Sequence, residues 1–175
     1  MDHFARLGLP AALDLDAGAL DKAYFAGQRQ WHPDRFVAKP PEERAKASSE
    51  AAALNDAYRT LKSPIDRAVY LAALKGVEMP ADGKTIDDPD LLMEAMEARE
   101  ELQDAATVQA VDGLAAKALA DVEKALKGLA SLFLANDRPA IRKTLLRLRY
   151  LDKFAEEARA RRTNIERANI ERGAS

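Results

Sequence analysis

The 175-residue sequence contains no cysteine, which excludes disulfide bonds, thiol catalysis and thiolate metal sites. Its two histidines, His3 and His32, are too few to form a zinc site by themselves. We therefore expect a protein that folds without a metal or any other cofactor.

Long apolar runs are also missing, since no stretch approaches the roughly 20 apolar residues that span a bilayer. The N-terminus, Met1-Asp2-His3-Phe4, has neither the basic nor the apolar region of a signal peptide. The sequence therefore predicts a cytoplasmic protein with no membrane partner.

Aromatic residues are scarce, at 6% of the chain, whereas 47% of the residues are hydrophobic and 32% are charged. Alanine and leucine dominate the hydrophobic set, and this composition is typical of helices with solvated outer faces. We predict an all-α fold.

The small net charge of -2 conceals a segregation of charge along the chain. Residues 1–75 carry 11 Lys and Arg against 10 Asp and Glu, residues 76–106 carry 2 against 10, and residues 107–175 carry 14 against 9. The acidic middle segment disfavours binding to the negatively charged backbone of nucleic acids. Nucleic-acid binding is therefore a weak alternative that only the basic C-terminal part of the chain supports.

The N-terminal 75 residues predict a helical hairpin followed by a short helix. Helices are expected over 19–31, about 42–61 and 65–75, because apolar residues recur there at helical spacing and prolines separate the segments. The first two helices carry the predicted buried stripes Leu20, Ala23, Tyr24, Gly27 and Trp31, and Ala47, Ala51, Leu54, Tyr58 and Leu61.

After a predicted linker at 76–87, which is rich in glycine, proline and Asp-Gly, residues 88–172 predict a three-helix bundle. Asp88-Pro89, Thr107 and the turn at 136–139 are expected to begin its helices. The charged tail after residue 158 is expected to fray.

Two surfaces of this bundle stand out by periodicity. The first helix has a predicted core stripe of Leu91, Ala95, Ala98 and Leu102. Roughly opposite this stripe lie Met93, Glu97, Glu100 and Asp104, spaced 4, 3 and 4 residues apart, and an adjoining face carries Leu92 and Met96. A wider buried stripe is the alternative for Leu92 and Met96. Tyr150 lies about 180° from Ile141 at 100° per residue, so it is expected outside the core.

The tripeptide His32-Pro33-Asp34 lies in the loop between the first two helices, and this arrangement resembles the J-domains of DnaJ-type co-chaperones. Segments in both halves resemble the HscB family of J-domain co-chaperones more closely, namely 1–10, 28–36, 54–61, 92–94, 99–102 and 148–153. The resemblance implies a J-domain at 1–75 and a scaffold-binding domain at 88–172.

The resemblance further implies a monomeric adaptor, not an enzyme, with two protein partners: the iron-sulfur scaffold IscU and the DnaK-like ATPase HscA. It places chaperone binding on His32, Pro33, Asp34, Lys22, Arg29 and Arg35. It places scaffold binding on Leu92, Met93, Met96, Glu97, Glu100, Asp104 and Tyr150.

Some positions depart from the family pattern. Met96 and Tyr150 stand where leucine and phenylalanine are expected, and Arg35 and Trp31 replace lysine and tyrosine. The alternatives that stay open are a co-chaperone of a general DnaK-type ATPase with other clients, and an enzyme built on Glu97 and Glu100.

Overall fold

The computed structural model describes residues 1–80 and 87–173, and all regular secondary structure in those ranges is helical. The chain divides into two compact units, Met1–Gly76 and Val77–Ser175. Residues 81–86 of the predicted 76–87 linker lie outside the described residues, so the linker stays a prediction. No helix in the described ranges is both long enough and apolar enough to cross a membrane.

The N-terminal unit contains four α-helices and one 3₁₀ turn. In chain order these are α1 (His3–Arg6), α2 (Ala17–Trp31), the 3₁₀ turn Pro33–Phe36, α3 (Pro41–Lys62) and α4 (Pro64–Leu74). Side chains of Asp2, Asp16 and Ser63 cap the starts of α1, α2 and α4 by accepting backbone amides. Helix α4 ends before Gly76, whose φ of 74° lies in the left-handed region.

Helices α2 and α3 form the predicted antiparallel hairpin and approach each other closely. A Cβ built on Gly27 would lie 2.7 Å from Cδ2 of Leu54, so the absence of a side chain permits this packing. Further along the hairpin, the rings of Tyr24 and Tyr58 stack with centroids 4.0 Å apart.

The C-terminal unit is the predicted three-helix bundle of α5 (Pro89–Asp104), α6 (Val108–Ala135) and α7 (Arg138–Gly173). Asp88, Thr107 and Asp137 cap the three helix starts with side-chain oxygens. Helix α7 packs on both α5 and α6, and its buried face supplies most of the core: Ile141, Leu145, Leu148, Leu151 and Phe154.

The expectation that the tail frays after residue 158 is wrong. Helix α7 continues to Gly173, and Ile165 is buried against Leu102 and Val111. Arg161 donates hydrogen bonds to the carbonyls of Gln103 at 2.9 Å and Ala105 at 3.1 Å. The tail is ordered because it is held to both neighbouring helices: Ile165 is buried in the core, Arg161 bonds to the end of α5, and Nε of Arg162 lies 3.0 Å from Oδ1 of Asp112 on α6. Charge composition alone does not reveal such contacts.

Candidate functional site

The His-Pro-Asp tripeptide lies where α2 ends. His32 leaves the helical conformation with φ of -59° and ψ of 127°, as expected for a residue before proline, and Pro33 begins the 3₁₀ turn. The side chains of His32 and Asp34 are 52% and 86% exposed. Both groups are therefore presented to solvent at the tip of the hairpin.

Local hydrogen bonds set the orientation of the histidine ring. Nδ1 of His32 accepts the backbone amide of Asp34 at 3.3 Å and lies 3.5 Å from Oδ2 of the same residue. Because Nδ1 is the acceptor, the neutral ring carries its proton on Nε2. The tripeptide thus presents an imidazole and a carboxylate side by side at the helix end.

Two contacts close the loop behind the tripeptide. The rings of Trp31 and Phe36 stack with centroids 6.1 Å apart and an interplanar angle of 11°, and Nζ of Lys46 lies 5.9 Å from the Trp31 ring centroid. Arg35 donates from Nη1 to the carbonyl of Arg29 at 2.6 Å, satisfying a free carbonyl at the end of α2. These contacts hold the turn against the helix that precedes it.

The three predicted basic residues are exposed: Arg29 and Arg35 lie at the end of α2, and Lys22 lies nearer its start. Helix α2 is anchored to α3 on the opposite side, where Tyr24 donates to Oδ1 of Asn55 at 3.0 Å. Tyr58 and Lys62 donate to Oδ1 of Asp21 at 2.8 and 2.6 Å, and these hydrogen bonds lower the pKa of that carboxyl. The basic face therefore rests on a firmly packed helix.

A second surface lies on α5. Leu91, Ala95 and Leu102 are buried, whereas Met93 and Met96 are 64% and 63% exposed. Leu92 is half-buried, and Glu97, Glu100 and Asp104 are exposed. We call the surface of these last six residues, Leu92, Met93, Met96, Glu97, Glu100 and Asp104, the α5 patch.

The structure decides between the two interpretations of the α5 patch for Met96. A buried stripe wide enough to include Met96 is excluded by its exposure. Leu92 lies at the boundary between core and surface. An apolar pair surrounded by carboxylates is unusual on a solvated helix face and is typical of a protein-binding surface.

Tyr150 does not lie fully outside the core, so the expectation from helical periodicity is wrong in part. Its ring is half-buried and packs against the bundle core, because α7 contacts a neighbouring helix on more than one side. Burial, followed by the negative charge of Glu94, raises the pKa of its hydroxyl. A tyrosine with a partly buried ring presents only its edge and hydroxyl to a partner.

A groove with carboxylates along its edges runs past Tyr150, between α5 and α6. Its lining includes Glu94, Glu97, Glu101 and Asp121, with one lysine, Lys117. Three of these carboxylates, Glu94, Glu101 and Asp121, were not singled out by the sequence reasoning. The 3,4 spacing of Glu94, Glu97 and Glu101 on α5 was the signal that could have found two of them.

Ion pairs connect α5 to α7 along its length. Glu94 accepts from Arg147 at 2.7 Å, and Glu157 receives two hydrogen bonds from Arg99 at 3.1 and 3.0 Å. Lys143 lies 3.0 Å from Asp88 and 3.3 Å from Asp90. Pairs this exposed each contribute little stability, about 0–1 kcal/mol. The buried side chains of Leu91, Ala95 and Leu102 set the rotation of α5 and hence the direction of its patch.

Neither surface has the features of a catalytic or metal site. In the described part of the chain, no group of three or more His, Asp or Glu side chains could hold a metal ion. Glu97 and Glu100 lie on an exposed helix face, whereas general acid-base chemistry requires a sheltered site. The geometry favours two protein-binding surfaces.

Comparison with known proteins covers up to 94% of the chain. A family profile described as HSCB C-terminal oligomerisation domain matches residues 87–159. The Co-chaperone protein HscB homolog of Burkholderia multivorans is 39% identical over 167 residues, covering 94% of this chain and 95% of the relative. The Co-chaperone protein HscB of Proteus mirabilis is 40% identical over 124 residues, covering 71% of this chain and 72% of the relative.

Solved structures are similar over nearly the same length. The chaperone HscB from Vibrio cholerae superposes with a TM-score of 0.84 at 32% identity, covering 94% of this chain and 99% of that one. The human co-chaperone protein HscB superposes with a TM-score of 0.85 at 27% identity, covering 91% and 81%. The similarity therefore extends over both compact units.

Proposed function

Because the chain belongs to the HscB family of co-chaperones, we propose that it binds the scaffold IscU, delivers it to the ATPase HscA and stimulates ATP hydrolysis there. The observation that carries the proposal is the exposed His32-Pro33-Asp34 turn at the end of α2, in a chain that is similar to an HscB homolog over 94% of its length. The role is that of an adaptor in iron-sulfur cluster transfer, with no catalytic chemistry of its own.

The N-terminal unit supplies the contact with the ATPase. The Asp34 side chain is 86% exposed, so its carboxylate can accept hydrogen bonds from basic or polar groups on the chaperone. Lys22, Arg29 and Arg35 attract an acidic surface and increase the rate of productive encounter. Binding in this orientation biases the ATPase towards its hydrolysis-competent state.

The α5 patch and the adjacent Tyr150 groove supply the contact with the scaffold. Met93 and Met96 provide flexible apolar area that can adapt to a partner surface. The carboxylates Glu97, Glu100 and Asp104 lie beside them and select for basic groups on that partner. Tyr150 contributes a hydroxyl and one ring edge.

The ATPase contact is tested by steady-state ATP turnover of HscA with IscU and wild-type, His32→Gln or Asp34→Asn protein. We expect both variants to lose the stimulation while binding IscU normally, because both side chains are exposed and support no core contact. Asp56→Asn, another exposed acidic residue of the same unit, is the matched control and keeps full stimulation. Unchanged stimulation by both loop variants would refute this role. Wild-type stimulation of a general DnaK-type chaperone but not of HscA would instead support the broader co-chaperone function.

The scaffold contact is tested by calorimetric titration of IscU. We expect Met93→Ala with Met96→Ala to weaken binding by about tenfold or more, because two exposed thioether side chains lose their buried area in the complex. Leu119→Ala with Leu134→Ala removes two exposed apolar side chains of α6, 60% and 89% exposed, and serves as the control. Equal affinities for the two double variants would rule out the α5 patch as the scaffold surface.

A further inference from the structure

An exposed phenylalanine lies on the outer face of α2, among the basic residues. Phe25 is 57% exposed, although a helix position facing solvent ordinarily carries a polar residue. At 100° per residue it lies more than 100° from the buried Leu20, so it contributes nothing to the hairpin core. Its ring is tilted by 57° against that of Tyr24, with the two centroids 5.5 Å apart.

Phe25 forms one wall of a shallow hollow beside the His-Pro-Asp turn. The hollow is lined by Phe25, Gln28, Arg29, His32 and Arg35, and we call it the Phe25 hollow. The first four follow the 3,4,7 spacing of one helix face, and Arg35 joins them from the 3₁₀ turn. Its surface is almost entirely apolar, formed by two rings and the aliphatic stems of the arginines.

The walls of the Phe25 hollow are held in place before any partner binds. The Arg35 guanidinium is tied to the carbonyl of Arg29, and the His32 ring is tied to the amide of Asp34. A preformed apolar depression loses little conformational entropy when it is filled. His32 belongs both to the hollow and to the tripeptide, so a partner that contacts the tripeptide also covers the hollow.

We propose that the Phe25 hollow receives an aliphatic or aromatic side chain from an acidic segment of the ATPase chaperone. The apolar lining selects the inserted side chain, and the charges of Lys22, Arg29 and Arg35 select carboxylates on either side of it. The inference rests on the proposed function and deepens it: Phe25 determines affinity and partner choice, whereas His32 and Asp34 determine the stimulation itself.

The test compares Phe25→Ala with wild type in ATP turnover of the partner ATPase, titrated over a wide range of co-chaperone concentration. We expect the concentration for half-maximal stimulation to rise about fivefold to tenfold, from the apolar area no longer buried. The maximal stimulation stays at the wild-type value, because the tripeptide is intact. Phe25→Leu keeps most of the apolar area and restores most of the affinity.

Two controls separate an apolar contact from a general loss of fold or charge. Leu74→Ala removes another exposed apolar side chain of the same unit, away from α2, and should leave the titration unchanged. Added salt should weaken wild type and Phe25→Ala by the same factor, since all charges remain.

The outcomes distinguish the two levels of the proposal. Normal wild-type stimulation with an unshifted titration for Phe25→Ala overturns the hollow alone. A lower maximal stimulation without a shift in the half-maximal concentration also overturns the proposed role of the hollow, since Phe25 would then affect the stimulation step and not the affinity. A wild-type protein that stimulates no DnaK-like ATPase overturns the proposed function and this inference together.

Discussion

The two units present their candidate surfaces in different ways. In the N-terminal unit the surface is the tip of a hairpin, where a 3₁₀ turn is held by one aromatic stack, one arginine-to-carbonyl bond and one histidine-to-amide bond. In the C-terminal unit the surface is the side of α5, held by buried leucines and a row of ion pairs to α7. A tip depends on a few local contacts, whereas a helix face depends on the whole core beneath it.

The largest expected effect comes from a core substitution in one unit, which tests whether the two units unfold independently. Leu145→Ala should cost the C-terminal unit about 3 kcal/mol, because the side chain is 0% exposed and its loss leaves a cavity. Trp31 is the single tryptophan and lies in the N-terminal unit, so its fluorescence follows that unit alone during urea unfolding. We expect its midpoint to stay constant while circular dichroism detects earlier unfolding. Leu61→Ala is the matched control that should move the tryptophan midpoint. A Trp31 midpoint that moves with Leu145→Ala would mean that the units unfold together.

The contrast predicts that the stability of α5 depends on residues of α7 that lie far along the chain. Arg161→Ala removes two hydrogen bonds to the carbonyls of Gln103 and Ala105 at the end of α5, and should cost about 1–2 kcal/mol. The measurement is the urea midpoint by circular dichroism, with scaffold affinity as the second readout. Arg159→Ala removes an exposed arginine from the same stretch of α7 and should have little effect. Equal midpoints for the two variants would show that the tail does not stabilise α5.

The tip should respond to the loss of its aromatic stack without global unfolding. Phe36→Ala removes the ring stacked on Trp31 and should destabilise the folded conformation of the turn by about 1 kcal/mol. We expect a several-fold weaker stimulation of the ATPase with a thermal midpoint within a few degrees of wild type. Tryptophan fluorescence reports the increased exposure of Trp31. Full stimulation by this variant would indicate that the tripeptide is oriented by its hydrogen bonds alone.

The smallest expected effect is a pH dependence confined to the N-terminal unit. Burial lowers the pKa of His3, whose ring stacks on Tyr70 with centroids 4.3 Å apart, and both histidines lie in this unit. The unfolded chain therefore binds the proton more readily than the folded one, so this contribution is complete above about pH 6.5 and declines as the pH falls through the folded-state pKa. Trp31-detected unfolding should show a lower midpoint at pH 5.5 than at pH 7.5. His3→Phe keeps an aromatic ring beside Tyr70 and should reduce the difference between the midpoints at the two pH values. An unchanged difference would show that another group causes the pH dependence.

The fold followed closely from sequence patterns. Helical spacing of apolar residues located the hairpin and the three-helix bundle, and Asp88-Pro89, Thr107 and the turn at 136–139 marked helix starts that the structure places within a few residues. These signals are local, because a helix start depends on the few residues whose side chains can reach its free amides. Ser63-Pro64 is expected to end the preceding helix, and the structure shows that Ser63 also caps the start of α4. The assignment of binding partners to the two surfaces stays a prediction, since it comes from the family resemblance.

The sequence by itself determined the helices, the position of the His-Pro-Asp turn and the amphipathic character of α5, because each depends on neighbours within about two turns. Only the tertiary structure decided that Tyr150 is half-buried, that the tail is ordered and that Phe25 faces solvent beside His32. Burial on a bundle helix depends on how many other helices contact it, and the order of the charged tail depends on contacts of Ile165 and Arg161 with residues about 55 or more positions earlier in the chain. Contacts between residues far apart in the chain leave no periodic signal, so the structure was needed to reveal them.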